Sequence, residues 1–136
     1  MQETIIVDAS AIGHLFLRAD GCEVFEDAFE TNAILVSSDL IFYEFGNIMS
    51  KYIQFAKLEE HKAVSGLNWL REMISHSFNL SHFSPQILEL SITTSLSFYD
   101  ASYLFLAKQQ NVRLASNDKK LVKVARENQV EVISRF

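Results

Sequence analysis

The apolar positions of this chain follow two periods. Short runs of β-branched or apolar residues fall at 4–7, 34–37, 78–82, 112–115 and 130–133, and these read as strands. Between them apolar residues recur every three to four positions, the spacing of amphipathic helices. Residues 9–17 and 24–29 predict two short helices flanking Asp20-Gly21. Asp39 is placed to cap a long helix reaching about residue 55, with Ile41, Phe45, Ile48, Tyr52 and Phe55 along one stripe. A second stripe, Val64, Leu67, Leu70 and Ile74, predicts a helix over about 58–76. Ser84-Pro85 reads as the N-cap and first residue of the next helix. Ser97 caps another, to about residue 110, and Ser116-Asn117-Asp118 opens the last, to about residue 128. Strands separated by helices imply parallel pairing through right-handed crossovers, hence an α/β sandwich. No repeat, low-complexity tract or linker interrupts the pattern, so residues 1–136 read as one domain.

Four carboxylates stand where this pattern calls for core. Asp8 ends the run Thr4-Ile5-Ile6-Val7, Glu44 interrupts an apolar helix, Asp100 follows Phe98-Tyr99, and Asp118 closes residues 112–118. An unpaired buried carboxylate costs several kcal/mol, and a shared divalent cation would neutralise all four together. Asp8 and Asp118 lie just past the carboxyl ends of the first and fourth strands, where open α/β sheets bind ligands. Three of the acids also have purely structural readings. Asp8 and Asp118 could cap the helices that follow them, and Ser97-x-x-Asp100 has the spacing of a capping box. Glu44 has none, because its ridge with Leu40 and Ile48 faces the core side, and Asn47 adds a polar group one turn on.

Composition narrows the chemistry. With 49% hydrophobic and 21% charged residues the chain is globular, and no apolar run approaches the ~20 residues of a membrane span. A soluble, cytoplasmic protein is expected, with no membrane partner. The single Cys22 reads as a small packing residue. The four histidines lack zinc-binding spacing, and there is neither a phosphate-binding glycine loop nor a nucleophile elbow. A net charge of −5 argues against broad electrostatic binding of nucleic acid. Lys119, Lys120, Lys123 and Arg126 could touch a phosphate backbone beside Asp118, although a solvated face on a terminal helix is the simpler reading. Tyr43, Tyr52, Phe55 and Trp69 exceed what one small core needs and point to an interface.

Four stretches resemble the PIN-domain family of metal-dependent ribonucleases, which includes the VapC-type toxins. They are Ile5-Ile6-Val7-Asp8-Ala9-Ser10, the segment from Asp39 through Glu44 to Asn47, residues 96–104 with Ala107, and residues 114–121. The resemblance spans nearly the whole chain. It implies a three-layer sandwich around a five-stranded parallel sheet ordered 3-2-1-4-5. It also implies that Asp8, Glu44, Asp100 and Asp118 bind metal and catalyse, with Ser10, Asn47 and Ser116 supporting them. Ala115-Ser116 departs from a common valine-threonine pair, and no strong basic surface is evident. Carboxylate donors suit Mg²⁺ or Mn²⁺. In this reading Asp8 and Asp118 are central ligands, Asp100 completes the set, and Glu44 orients or deprotonates the attacking water. The implied activity is RNA hydrolysis to 5′-phosphate and 3′-hydroxyl ends, with toxin action, a homodimer and an antitoxin partner expected by analogy. The rivals are a non-toxin RNA-processing nuclease and an inactive PIN-like binding scaffold. Phosphotransfer receivers fit less well, and the Asp8-Ala9-Ser10 sequence fails the Asp-x-Asp requirement of haloacid-dehalogenase-type phosphatases.

Overall fold

A computed structural model describes residues 2–30 and 32–136. Strands β1 (Thr4–Val7), β2 (Ile34–Ser38), β3 (Ile74–Phe78), β4 (Arg113–Ala115) and β5 (Val132–Ile133) form one sheet in the order β3-β2-β1-β4-β5. Every pairing is parallel, with Ile5 opposite both Leu35 and Arg113, and Val7 opposite Ala115. Ile5, Ile6 and Val7 of the central strand are wholly buried. A strand covered on both faces needs a continuous apolar run rather than an alternating one, and 5–7 supplies it.

Among the described residues seven α-helices cover the sheet: α1 (Ala9–Phe16), α2 (Glu23–Glu30), α3 (Leu40–Ala56), α4 (Glu60–Met73), α5 (Ser84–Thr94), α6 (Phe98–Gln110) and α7 (Lys119–Glu127). Helices α1 to α4 contact one another, while α6 packs on β1, β2 and β4 with α5 and α7 beside it. Six of the thirteen α6 residues, including Tyr103, are buried, so this helix runs through the core and carries Asp100 with it.

The third strand lies earlier than its predicted position at 78–82. Helix α4 ends at Met73, and Ile74 turns directly into β3 with extended backbone, φ −82° and ψ 112°. Ile74 continues the helical stripe of Leu67 and Leu70, but its side chain is buried opposite Leu35 in the sheet. On this edge strand Ser75 and His76 are exposed, which leaves no apolar run to mark it. The strand's last carbonyl, on Phe78, accepts a bond from the Asp39 amide at the start of α3 (3.0 Å). Residues 81–83, expected to be strand or its margin, form a single 3-10 turn.

Two expected caps also shift. Asp39 precedes α3 but makes no side-chain capping bond; Ser38 Oγ accepts from the Leu40 amide instead. Ser84 lies inside α5, after Phe83, and its hydroxyl donates to the Ser81 carbonyl. Ser97 caps α6 as expected, accepting from the Asp100 amide. Of the four surplus aromatics, Tyr43, Tyr52 and Phe55 are exposed. Trp69 instead packs on Phe16 with ring centroids 5.5 Å apart. Cys22 is buried, and among the described residues no helix is long and apolar enough to cross a membrane.

Candidate active site

Parallel order puts the ends of β1 and β4 side by side, and the chain uses that adjacency to bind one carboxylate very firmly. Asp8 is only 2% exposed. Its Oδ1 accepts from the Ala11 amide (2.8 Å) and from Ser10 Oγ (2.7 Å), and its Oδ2 accepts from Ser116 Oγ (2.5 Å). Ser116 Oγ in turn accepts from the Asp118 amide (3.0 Å), and Ser10 Oγ accepts from the Asn117 amide (2.8 Å). Two hydroxyls therefore lace the end of β1 to the end of β4. The capping reading of Asp8 is correct as far as it goes, since the Ala11 bond is the N-cap of α1. One cap bond does not account for two further donors and almost complete burial.

The other three acids approach from separate helices. Asp118 caps α7 through the Leu121 amide (2.9 Å). Asp100 sits in the first turn of α6, and Glu44 one turn into α3. Unlike Asp8, all three are only partly buried. Glu44 Oε1 accepts from the hydroxyl of Tyr103 (2.6 Å), a residue that is 1% exposed. Tyr103 lies three residues after Asp100, on the same face of α6. That spacing is legible in the sequence, but a tyrosine within an apolar helix reads there as core packing, and only its hydroxyl bond to Glu44 marks it as a site residue.

The acids form one electrostatic unit. Burial pushes the Asp8 carboxyl up to about 7, against the downward pull of Ser116, Ala11 and Ser10, with Asp100 adding to the rise. Burial also raises Asp100 to about 6, followed by repulsion from Asp118 and Glu44, and Lys120 offsets part of it. Glu44 is raised by burial and by Asp118, against the Tyr103 bond. Tyr103 is held far above the usual phenol range by burial first and then by Glu44, so it remains a donor.

This donor set consists of carboxylate and hydroxyl oxygens with a deficit of positive charge, which fits a hard divalent cation. Among the described residues no group of three or more His, Cys, Asp or Glu side chains is gathered tightly enough to hold an ion by itself. Mg²⁺ keeps several waters and takes one or two carboxylates directly, so a looser acidic pocket suits it.

Of the supporting residues, Ser10 and Ser116 join Asp8 directly. Asn47 is exposed on α3, and among the described residues it has no hydrogen bond to the acids. Asn117 is a second residue the sequence reading passed over. Its Nδ2 meets His14 Nδ1 (3.2 Å) and its Oδ1 accepts from Arg135 Nε (2.9 Å), joining α1 to the chain beyond β5.

Known proteins resemble this chain in sequence and in fold. The chain is 29% identical over 121 residues to Ribonuclease VapC3 of Pyrobaculum aerophilum, covering 86% of this chain and 91% of that one. The crystal structure of PAE2754 from Pyrobaculum aerophilum matches with a TM-score of 0.73 at 22% identity, over 98% of this chain and 92% of the other. VapC20 of Mycobacterium tuberculosis, described as a Sarcin-Ricin loop cleaving toxin, gives 0.70 at 14% identity, over 88% and 94%. VapBC2 of Rickettsia felis, solved bound to a DNA fragment from its promoter, gives 0.68 at 11% identity, over 98% and 99%. At these identities the solved structures speak for the fold alone. The sequence model of the PIN domain matches residues 5–127, and the chain belongs to that family.

Proposed function

We propose that this chain is a single-domain endoribonuclease that hydrolyses RNA phosphodiester bonds with Mg²⁺ or Mn²⁺, leaving 5′-phosphate and 3′-hydroxyl ends. The observation that carries the reading is the electrostatic coupling of Asp8, past the end of β1, to Asp100 of α6, and of Asp100 to Glu44 of α3 and to Asp118, past the end of β4. The family membership and the ribonuclease name of the Pyrobaculum relative support it.

Each side chain has a task in this reading. Asp8 and Asp118 hold the ion from adjacent strand ends, and Asp100 adds oxygen from α6. Ser10 and Ser116 fix both Asp8 oxygens, so that this ligand needs no rearrangement on binding. A divalent ion bound there would supply charge to the phosphate and to the departing oxygen. Glu44, steadied by the Tyr103 hydroxyl, takes the proton of the attacking water. The test is Asp8→Asn with single-stranded RNA in Mn²⁺. Cleavage is expected to fall by about 100-fold, the equivalent of ~3 kcal/mol of transition-state stabilisation. Undiminished cleavage would overturn the assignment.

We further infer that the protein is a toxin held in check by an antitoxin and that it forms a homodimer in the cytoplasm. The VapBC complex among its structural relatives supports the first part. The second is supported by Tyr43 at 76% and Phe55 at 82% exposure, more aromatic surface than a lone small domain usually leaves bare. Light scattering after size exclusion should give twice the chain mass; a strict monomer at high micromolar concentration removes the dimer.

A further inference from the structure

We propose that the exposed face of α7, together with Arg135 and Phe136, is a track for the phosphate backbone of single-stranded RNA that leads to the acid centre at Asp118. The identity of the anion rests on the ribonuclease reading; the track itself rests on charge and placement. Residues 119–136 hold five lysines and arginines against two acids, whereas the remainder of this acidic chain holds seven against fifteen. Positive charge is thus concentrated on one short segment, and that segment begins beside a proposed metal ligand.

The five cations are also left free to meet an anion. Among the described residues none of them takes part in an ion pair; the paired cationic groups are Arg18, His61 and Arg113. Where they do bond, the acceptor is not an Asp or Glu side chain. Arg126 donates to the Phe136 carbonyl (3.0 Å), Arg135 to Asn117 Oδ1 (2.9 Å), and Lys120 to the Ser95 carbonyl. Lys119 Nζ and Arg135 Cζ lie over the Phe136 ring, at 5.9 and 4.8 Å from its centroid. Lys119, Lys123 and Arg126 fall at i, i+4 and i+7, one stripe about 10 Å long. Leu121, Val122, Val124 and Ala125 are buried, which fixes the stripe outward. A groove of about 870 Å³ is lined by these three cations together with Lys120, Val122, Phe136 and one acid, Glu127. Arg135 is tied through Asn117 to Ser10, the residue that holds Asp8, so the track and the centre are parts of one framework.

The experiment uses the full chain and a fluorescein-labelled 12-nucleotide single-stranded RNA, with binding followed by anisotropy across a salt titration in EDTA. For the variant K119A/K123A/R126A the slope of log K against log salt should become shallower by about 2, from ~0.7 per lost phosphate contact. Its affinity at low salt should fall at least ~10-fold by the same argument. K119R/K123R/R126K should keep the wild-type slope, as should K51A/K62A/R71A, which removes equal charge elsewhere. In Mn²⁺ the first variant should raise KM with little change in kcat. Wild-type slope in that variant, an equal loss in the K51A/K62A/R71A control, or a wild type that does not bind the RNA would overturn the track. Equal binding of a poly-glutamate peptide through the same residues would overturn it in favour of an acidic protein partner. Salt-dependent RNA binding without cleavage would sink the ribonuclease reading and leave the track standing; cleavage with an unchanged slope would do the reverse.

Discussion

The two ends of the sheet treat acidic side chains in opposite ways. At the amino ends, Glu3 receives two bonds from Arg113, Nε to Oε2 at 2.6 Å and Nη2 to Oε1 at 2.7 Å. That bidentate pairing holds the Glu3 carboxyl below its usual range. At the carboxyl ends, Asp8, Glu44 and Asp100 take part in no salt bridge among the described residues, and all three are pushed upward, with Lys120 offsetting only part of the rise at Asp100. One end satisfies its charge internally. The other keeps an unmet demand for a cation, and such unmet demand marks a functional site more often than a structural one.

The contrast can be broken from either end. The largest effect is expected from Ser116→Ala, which removes the donor to Asp8 Oδ2 and the acceptor of the Asp118 amide. Cleavage and Mn²⁺ affinity should fall about 10–100-fold, as for other lost supports of metal ligands, and calorimetry reads the affinity directly. Stability against pH comes next, because the two ends carry opposite signs. Asp8 at about 7 and Asp100 at about 6 sit above the unfolded carboxylate value. Their contribution is therefore complete below about pH 4 and is lost as pH rises through 6 and 7. Metal-free protein in EDTA should melt at least ~5 °C lower at pH 8 than at pH 5, and Mg²⁺ should restore most of the difference at pH 8. A flat or rising melting temperature would contradict the acidic centre. Glu3, lowered in the folded chain, gives stability above the unfolded value that is lost only as pH falls below about 4.

Tyr103→Phe should be milder. It removes one bond to Glu44, costing about 1 kcal/mol of stability and roughly 10-fold in cleavage, and melting curves beside kinetics separate the two. The smallest effect belongs to Glu3→Gln. Its pair with Arg113 is partly exposed, so denaturant titration should register less than ~1 kcal/mol, with cleavage unchanged.

What the sequence made legible follows from burial. β1 and β4 lie in the middle of the sheet and their apolar runs announce them, so the adjacency of the strand ends that precede Asp8 and Asp118 follows from strand order. β3 was displaced because an edge strand needs little apolar surface: Ser75 and His76 face solvent, and Ile74 falls in phase with the preceding helix. Asp8 and Asp118 cap the helices that follow them, at α6 the cap is Ser97 accepting from the Asp100 amide, and a capping bond leaves a carboxylate able to serve in the proposed metal role. Glu44, read as core-facing, is half-buried, with Tyr103 as its partner. Tyr103 escaped notice because a tyrosine in an apolar helix looks like packing until its hydroxyl is placed. The cations of α7 look dilute against the total charge, and their gathering on the exposed face of one helix beside Asp118 emerges only in space.

The direct passage from α4 into β3 constrains where this chain can change length. One residue inserted between Met73 and Ile74 would turn the helix by about 100° but reverse the faces of the strand, and no single adjustment satisfies both. Ile74 would leave its place opposite Leu35, and the Phe78 carbonyl would move away from the Asp39 amide. Asp39 precedes the helix that carries Glu44, so a slip at the outermost strand would reach the acid centre through the backbone alone. Insertions in this half of the chain should therefore be tolerated between α3 and α4, at residues 57–59, and not at a junction that has no loop to absorb them.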